Sequence, residues 1–189
     1  MVKNFDIVMA GVGGQGTILA SNILSDVGLE LGYHVKKSEV HGMAQRGGTV
    51  ESHVRWGQNV AAPLVEQNKA DFLLGFEMLE TARWPMYIKE GTVVIVNNYR
   101  IPPPTVNTGQ AVYPTEQEVE SILSSVGGKV KWIAATQIAA DLGNPAMVGV
   151  VLLGGDESVW LKVVESMVPE KFQDMNKQAF LQGRAASIA

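Results

Sequence analysis

The chain has 189 residues, 46% hydrophobic and 18% charged, with a net charge of −4, enough for a single α/β domain spanning residues 1–189 with a sizeable core. The charge balance leaves no basic surplus to displace phosphate counterions, which argues against nucleic acid, and no apolar run approaches the roughly 20 residues a membrane span needs. The chain has no cysteine, which excludes disulfides, thiolate nucleophiles and Cys-ligated iron–sulfur clusters within it.

Met1 to Asp6 leads straight into a strand-like run without the pattern of a signal peptide, so the default location is cytoplasmic. Phe5 to Ala10 is short and mostly apolar, as a buried parallel strand is. A glycine loop follows. The spacing of Ala20, Ile23, Leu24, Val27 and Leu31 then predicts a helix from about Thr17 to Leu31, ended by Gly32. His34 to Ser38 reads as the second strand. Thr49 to Trp56 alternates in the manner of a half-exposed strand, with a partner at the sheet edge.

Ala70 to Phe76 is another buried-type strand, and Met78 to Tyr87 a helix that Pro85 interrupts. Thr92 to Asn97 is the clearest strand. Pro102-Pro103-Pro104 opens an extended segment. Thr115 and Glu118 have the spacing of a capping box, opening a helix to about Ser125. Val130 to Ala134 is a strand and Thr136 to Leu142 a helix ending at Gly143. A very apolar helix follows over Asn144 to Leu153, and Glu157 to Met167 and Pro169 to Leu181 are two more helices. Trp56, Trp84 and Trp160 each suit either core or interface. The alternation implies a Rossmann-like, doubly wound, mostly parallel sheet with helices on both faces and helices gathered at the C-terminus.

Two loops stand out as candidate sites. Gly11-Val12-Gly13-Gly14-Gln15-Gly16 lies between a strand and a helix, the setting of a phosphate cradle. Glu39, about 20 residues on, has the position of a ribose acceptor. The same glycines also suit a tight turn that binds nothing, or only a partner's backbone. The second loop is Glu39-Val40-His41-Gly42-Met43-Ala44-Gln45-Arg46-Gly47-Gly48. Arg46 offers a planar fork to a carboxylate or phosphate, and Gly47-Gly48 lets backbone come close to a ligand. His41, Gln45 and Arg46 are the candidate chemical residues. Each also has a bland reading, as a turn histidine or a surface ion pair. Only His34, His41 and His53 are available as imidazoles, none at helical HxxxH spacing, so no metal site is expected.

These residues carry a resemblance. The glycine loop, then Arg46-Gly47-Gly48 and its alternating strand, resemble the gamma-type subunits of 2-oxoacid:ferredoxin oxidoreductases. The run His41 to Arg55 is most similar to the indolepyruvate branch of that family. The resemblance implies one small subunit of a larger enzyme. It implies that a large alpha-type partner carries thiamine diphosphate and 4Fe-4S clusters, with CoA as co-substrate and ferredoxin reduced through the complex. Gly11, Gly13, Gly14, Gln15, Gly16, Arg46, Gly47 and Gly48 would then face the partner's active site or the CoA path. The competing readings are a gamma subunit for pyruvate, 2-oxoglutarate or a branched-chain acid, and a free-standing Rossmann protein that binds a nucleotide with or without catalysis.

Overall fold

A computed structural model describes residues 4–41, 48–144, 147–152, 163–164 and 167–188. Six strands form one sheet: β1 (Phe5–Val12), β2 (His34–His41), β3 (Thr49–Gly57), β4 (Ala70–Gly75), β5 (Ile88–Asn97) and β6 (Lys129–Ile133). Their order is β2-β3-β1-β4-β5-β6. Strands β1, β4, β5 and β6 run parallel, while β3 is antiparallel to both β1 and β2.

Helices cover both faces. On one, α1 (Thr17–Glu30), α5 (Ala135–Asp141), α6 (Val148–Leu152) and α7 (Gln173–Ile188) bury Ile23, Val27, Ala139, Val150 and Phe180 against Ile7, Met9 and Val54. On the other, α2 (Met78–Thr81) and α4 (Glu116–Ser125) bury Met78, Val119 and Leu123 against Val8, Ala10, Leu73 and Val94. A further single turn, α3 (Pro104–Asn107), follows the extended Pro103. Close approach of α7 to α6 depends on Gly183, where a Cβ would stand 1.8 Å from the carbonyl oxygen of Val151. No described helix is long and apolar enough to cross a membrane.

Several sequence expectations are met. Thr115 and Glu118 form the reciprocal capping box of α4. Leu142 and Gly143 (φ +88°) close α5. Others need correction. Strand β3 is not half-exposed: Val50 through Val54 are all buried. Its odd-numbered side chains face the same way as Val8 and Ala10, and residues 58–69 lie over them as a strap. Its partner β2 does lie at the sheet edge, as expected. The expected helix 78–87 is only one turn, followed by a 3-10 turn at Pro85–Tyr87, because Pro85 lacks the N–H that a continuing helix needs. Strand β5 starts four residues early, at Ile88.

The last helix runs to Ile188, past Leu181, with a 3-10 turn at Glu170–Phe172 before it. Trp56 is buried and Trp84 is half-buried. Trp160 and most of the expected helix 157–167 lie outside the described residues.

Candidate functional site

The glycine loop leaves the carboxyl end of β1. At Gly11 a Cβ would lie 2.8 Å from the Cβ of Phe76 and 3.0 Å from Oε1 of Gln15, so the strands beside it could not close with a larger residue. Gly14 (φ +99°) and Gly16 (φ +83°) are left-handed, a conformation glycine adopts without strain. The N–H of Gln15 donates to the carbonyl of Val12 at 3.2 Å, closing the turn. Gly16 precedes α1, whose first turn has no side-chain cap and no acidic residue. An open concavity lined by Gly14, Gly16, Thr17, Ile18, Leu19 and Asn22 lies over that turn. Free amides beside a positive helix end suit an anion.

The Gln15 side chain is engaged with backbone. Its Oε1 accepts from the N–H of Val12 at 2.7 Å, and its Nε2 donates to the carbonyl of Phe76 at 3.0 Å. Glu39 is engaged as well: its Oε1 accepts from Ser21 Oγ at 3.1 Å and pairs with Lys37 Nζ at 3.3 Å. Moreover β3 lies between β2 and β1. Glu39 is therefore two strand spacings, roughly 10 Å, from the glycine loop's strand, where a dinucleotide clamp has the acid on the adjacent strand.

The second loop joins β2 to β3. Val12 pairs with Thr49 and His41 with Val50, so both loops rise from one end of the sheet. The N–H of Gly13 donates to the carbonyl of Gly48 at 2.9 Å, tying their bases together. Gln45, Arg46 and Gly47 lie outside the described residues, as does the side chain of His41.

Polar groups that sequence reasoning missed lie below these loops. Glu77, fully buried, accepts from the N–H of Glu80 at 2.8 Å on Oε2, capping α2. Its Oε1 accepts from the N–H of Ile101 at 2.9 Å and from the Tyr113 hydroxyl. Burial and then the Glu77 carboxylate push the Tyr113 hydroxyl well above its ordinary pKa. Thus one carboxylate joins α2 to the segment that follows β5.

The second cluster is Glu51, His53 and Tyr87, under the strap. His53 Nδ1 accepts from the N–H of Val65 at 3.2 Å, which leaves the ring proton on Nε2. Nε2 stands 2.8 Å from Glu51 Oε1, a close polar contact bent away from hydrogen-bond alignment. Burial acts to raise the Glu51 pKa. Contacts with His53 and Tyr87 outweigh it and hold the carboxyl below its ordinary value. The Tyr87 hydroxyl is pushed up, by burial first and Glu51 second. His34, Lys36 and Arg55 pin the same strap through backbone groups of Val60, Ala61, Ala62 and Leu64. The only sequence signal was the Glu51-x-His53-x-Arg55 alternation, which also describes a solvent face.

The donor set limits what the chain can hold. With no cysteine in the sequence it cannot ligate an iron–sulfur cluster. Among the described residues no group of three or more acidic or imidazole side chains is placed to hold a metal ion.

Comparison with known proteins places this geometry. The chain is 39% identical to the indolepyruvate oxidoreductase subunit IorB of Thermococcus kodakarensis, covering 98% of this chain and 97% of that one. It is 36% identical to the subunit of the same name from Archaeoglobus fulgidus, covering 97% and 96%. Among solved structures, the gamma subunit of a keto/oxoacid ferredoxin oxidoreductase from Geobacter sulfurreducens shares the fold at TM-score 0.69 and 21% identity, over 97% of this chain and 98% of that one. A 2-oxoglutarate:ferredoxin oxidoreductase from Magnetococcus marinus shares it at TM-score 0.74 and 20% identity, over 98% of this chain but 31% of that one. The model of the pyruvate ferredoxin/flavodoxin oxidoreductase family matches residues 6–186, and the chain belongs to that family.

Proposed function

We propose that this chain is the small subunit of an indolepyruvate:ferredoxin oxidoreductase. The observation that carries this reading is full-length likeness, at 32–39% identity, to four proteins named indolepyruvate oxidoreductase subunit IorB. Likeness to pyruvate-type subunits is weaker, at 24–25% identity over less of the chain. That contrast favours indolepyruvate over pyruvate. The free-standing Rossmann reading loses support from Glu39, which β3 separates from β1 and which Ser21 and Lys37 occupy.

In the reaction, an aryl-2-oxoacid loses its carboxyl group as CO2 and its acyl carbon forms a thioester with CoA. The two electrons released leave singly, through ferredoxin. Thiamine diphosphate and iron–sulfur clusters of a large partner supply the carbanion and electron-transfer chemistry. This chain contributes the two joined loops. The uncapped start of α1 and the concavity beside it favour a phosphate-bearing ligand, and CoA is the phosphate-bearing reactant. Arg46 pairs with an acidic group on CoA or the partner, while His41 and Gln45 orient neighbours by hydrogen bonds. In the Magnetococcus enzyme a domain of this fold is about a third of a longer polypeptide, which supports a larger partner for this chain. A cytoplasmic location fits these reactants.

The test is anaerobic co-purification with the large subunit, followed by indolepyruvate turnover with CoA and ferredoxin. The complex turns over indolepyruvate faster than pyruvate, and the chain alone is inactive. Dinucleotide binding by the isolated chain, without a partner, would replace this reading with the free-standing one. Arg46→Ala in the reconstituted complex checks the second loop: unchanged turnover and assembly would remove Arg46 from the site.

A further inference from the structure

Side-chain amides run across the carboxyl ends of the parallel strands. Gln15, in the glycine loop after β1, donates through Nε2 to the carbonyl of Phe76, which follows β4. Asn97, the last residue of β5 and fully buried, donates through Nδ2 to that same carbonyl at 2.9 Å. Its second Nδ2 hydrogen goes to Thr136 Oγ1 at 2.8 Å, and its Oδ1 accepts from the N–H of Thr136 at 3.2 Å. Thr136 lies in the first turn of α5, just after β6. The two donors of Asn97 are both used, so its side chain has one orientation. The carbonyl of Phe76 receives one amide from each side, which occupies both its lone pairs.

From this geometry we propose that Asn97 is a positioning residue for the glycine loop. It anchors the Phe76 carbonyl to α5, and that carbonyl fixes Gln15 and with it the turn at Gly13 and Gly14. Gln15 Oε1 holds the N–H of Val12, and Gly13 holds Gly48, so the brace reaches the base of the second loop too. With two left-handed glycines and the single Gln15–Val12 turn bond, the loop has little rigidity of its own. The brace supplies it from two strands away, through a residue that touches no reactant. Its effect on turnover rests on the reading that the loop faces CoA.

Asn97→Asp keeps the shape and the acceptor for the Thr136 N–H but turns a carboxylate oxygen toward the Phe76 carbonyl. Thr136→Val is the milder variant, removing one bond, and Thr136→Ser restores it. The assembled complex is compared by hydrogen exchange and by steady-state kinetics. Exchange in the peptide from Ala10 to Ile18 rises in Asn97→Asp and Thr136→Val, and stays at the wild-type level in Thr136→Ser. KM for CoA rises about fivefold in Asn97→Asp, the share a single hydrogen bond carries, while KM for indolepyruvate is unchanged. Gly14→Val, which strains the loop directly, raises KM for CoA as well. If Asn97→Asp prevents assembly, Thr136→Val decides. Unchanged exchange in the loop peptide overturns the brace, whatever the kinetics. Raised exchange with KM for CoA unaltered in both Asn97→Asp and Gly14→Val upholds the brace and overturns the CoA-facing reading.

Discussion

Glu77→Gln tests the buried carboxylate that joins α2 to the segment after β5. Each oxygen of Glu77 meets donors only: Glu80 N–H on one side, Ile101 N–H and the Tyr113 hydroxyl on the other. A glutamine can serve one side. The cheaper orientation keeps its carbonyl toward Ile101 and Tyr113 and turns its NH2 against the N–H of Glu80. Loss of the helix cap costs about 1 kcal/mol. Two facing buried donors without an acceptor add roughly 1–3 kcal/mol. The expected destabilisation is therefore about 2–4 kcal/mol, or a fall of about 1–2 M in urea midpoint at a slope near 2 kcal/mol/M. Tyr113→Phe, which leaves two donors on the carboxylate, costs about 1 kcal/mol. The double variant is less destabilised than the sum by at least about 0.5 kcal/mol, because the hydroxyl's bond to a neutral amide oxygen is weaker than its bond to a carboxylate, so Tyr113→Phe removes less once Glu77 is Gln. Urea unfolding followed by circular dichroism reads all three. A Glu77→Gln midpoint within about 0.2 M of wild type, or strict additivity with Tyr113→Phe, would show that the carboxylate does not organise this region.

Glu51 has a folded pKa below its ordinary 4.5, so its contribution is present above that value and is lost as pH falls through the folded pKa. Unfolding titrations from neutral pH to pH 3 therefore show a steeper loss in wild type than in Glu51→Gln, and parallel curves would refute the assignment. Tyr87 has the opposite sense: its raised pKa stabilises the fold below the ordinary 10.0, and that share is lost above it. Tyr87→Phe accordingly flattens the alkaline limb of the stability curve above about pH 10, and a limb as steep as wild type's would refute this. Phe180→Ala, at a fully buried site on α7, costs about 3–5 kcal/mol in urea unfolding; a loss under about 1 kcal/mol would mean the C-terminal helix does not seal the core. Val112→Lys, by contrast, changes stability by less than about 0.5 kcal/mol, since the side chain is 93% exposed; a larger loss in thermal melting would mean a covering contact.

Much of this protein was determined by its sequence alone, wherever a signal was local. The apolar runs at Phe5–Ala10 and Thr92–Asn97, the stripe along α1 and the Thr115–Glu118 box each act within a few residues, through pleat, helix period or cap. The glycine loop was legible for the same reason, because left-handed backbone at Gly14 and Gly16 calls for glycine within a single turn. Tertiary structure decided what depends on residues distant in the chain. The insertion of β3 between β1 and β2 separated Glu39 from the glycine loop. The strap over Glu51 and His53 turned an alternating pattern that describes a solvent face into a buried one, since alternation records two faces but not what covers each. Glu77 and Asn97 carry no motif. Their partners, Ile101, Tyr113 and Thr136, lie 24, 36 and 39 residues away. Gln15 shows both levels in one side chain: its place in the loop was legible, but that its amide serves the backbone of Phe76, 61 residues on, was settled only when β1 and β4 came to lie side by side.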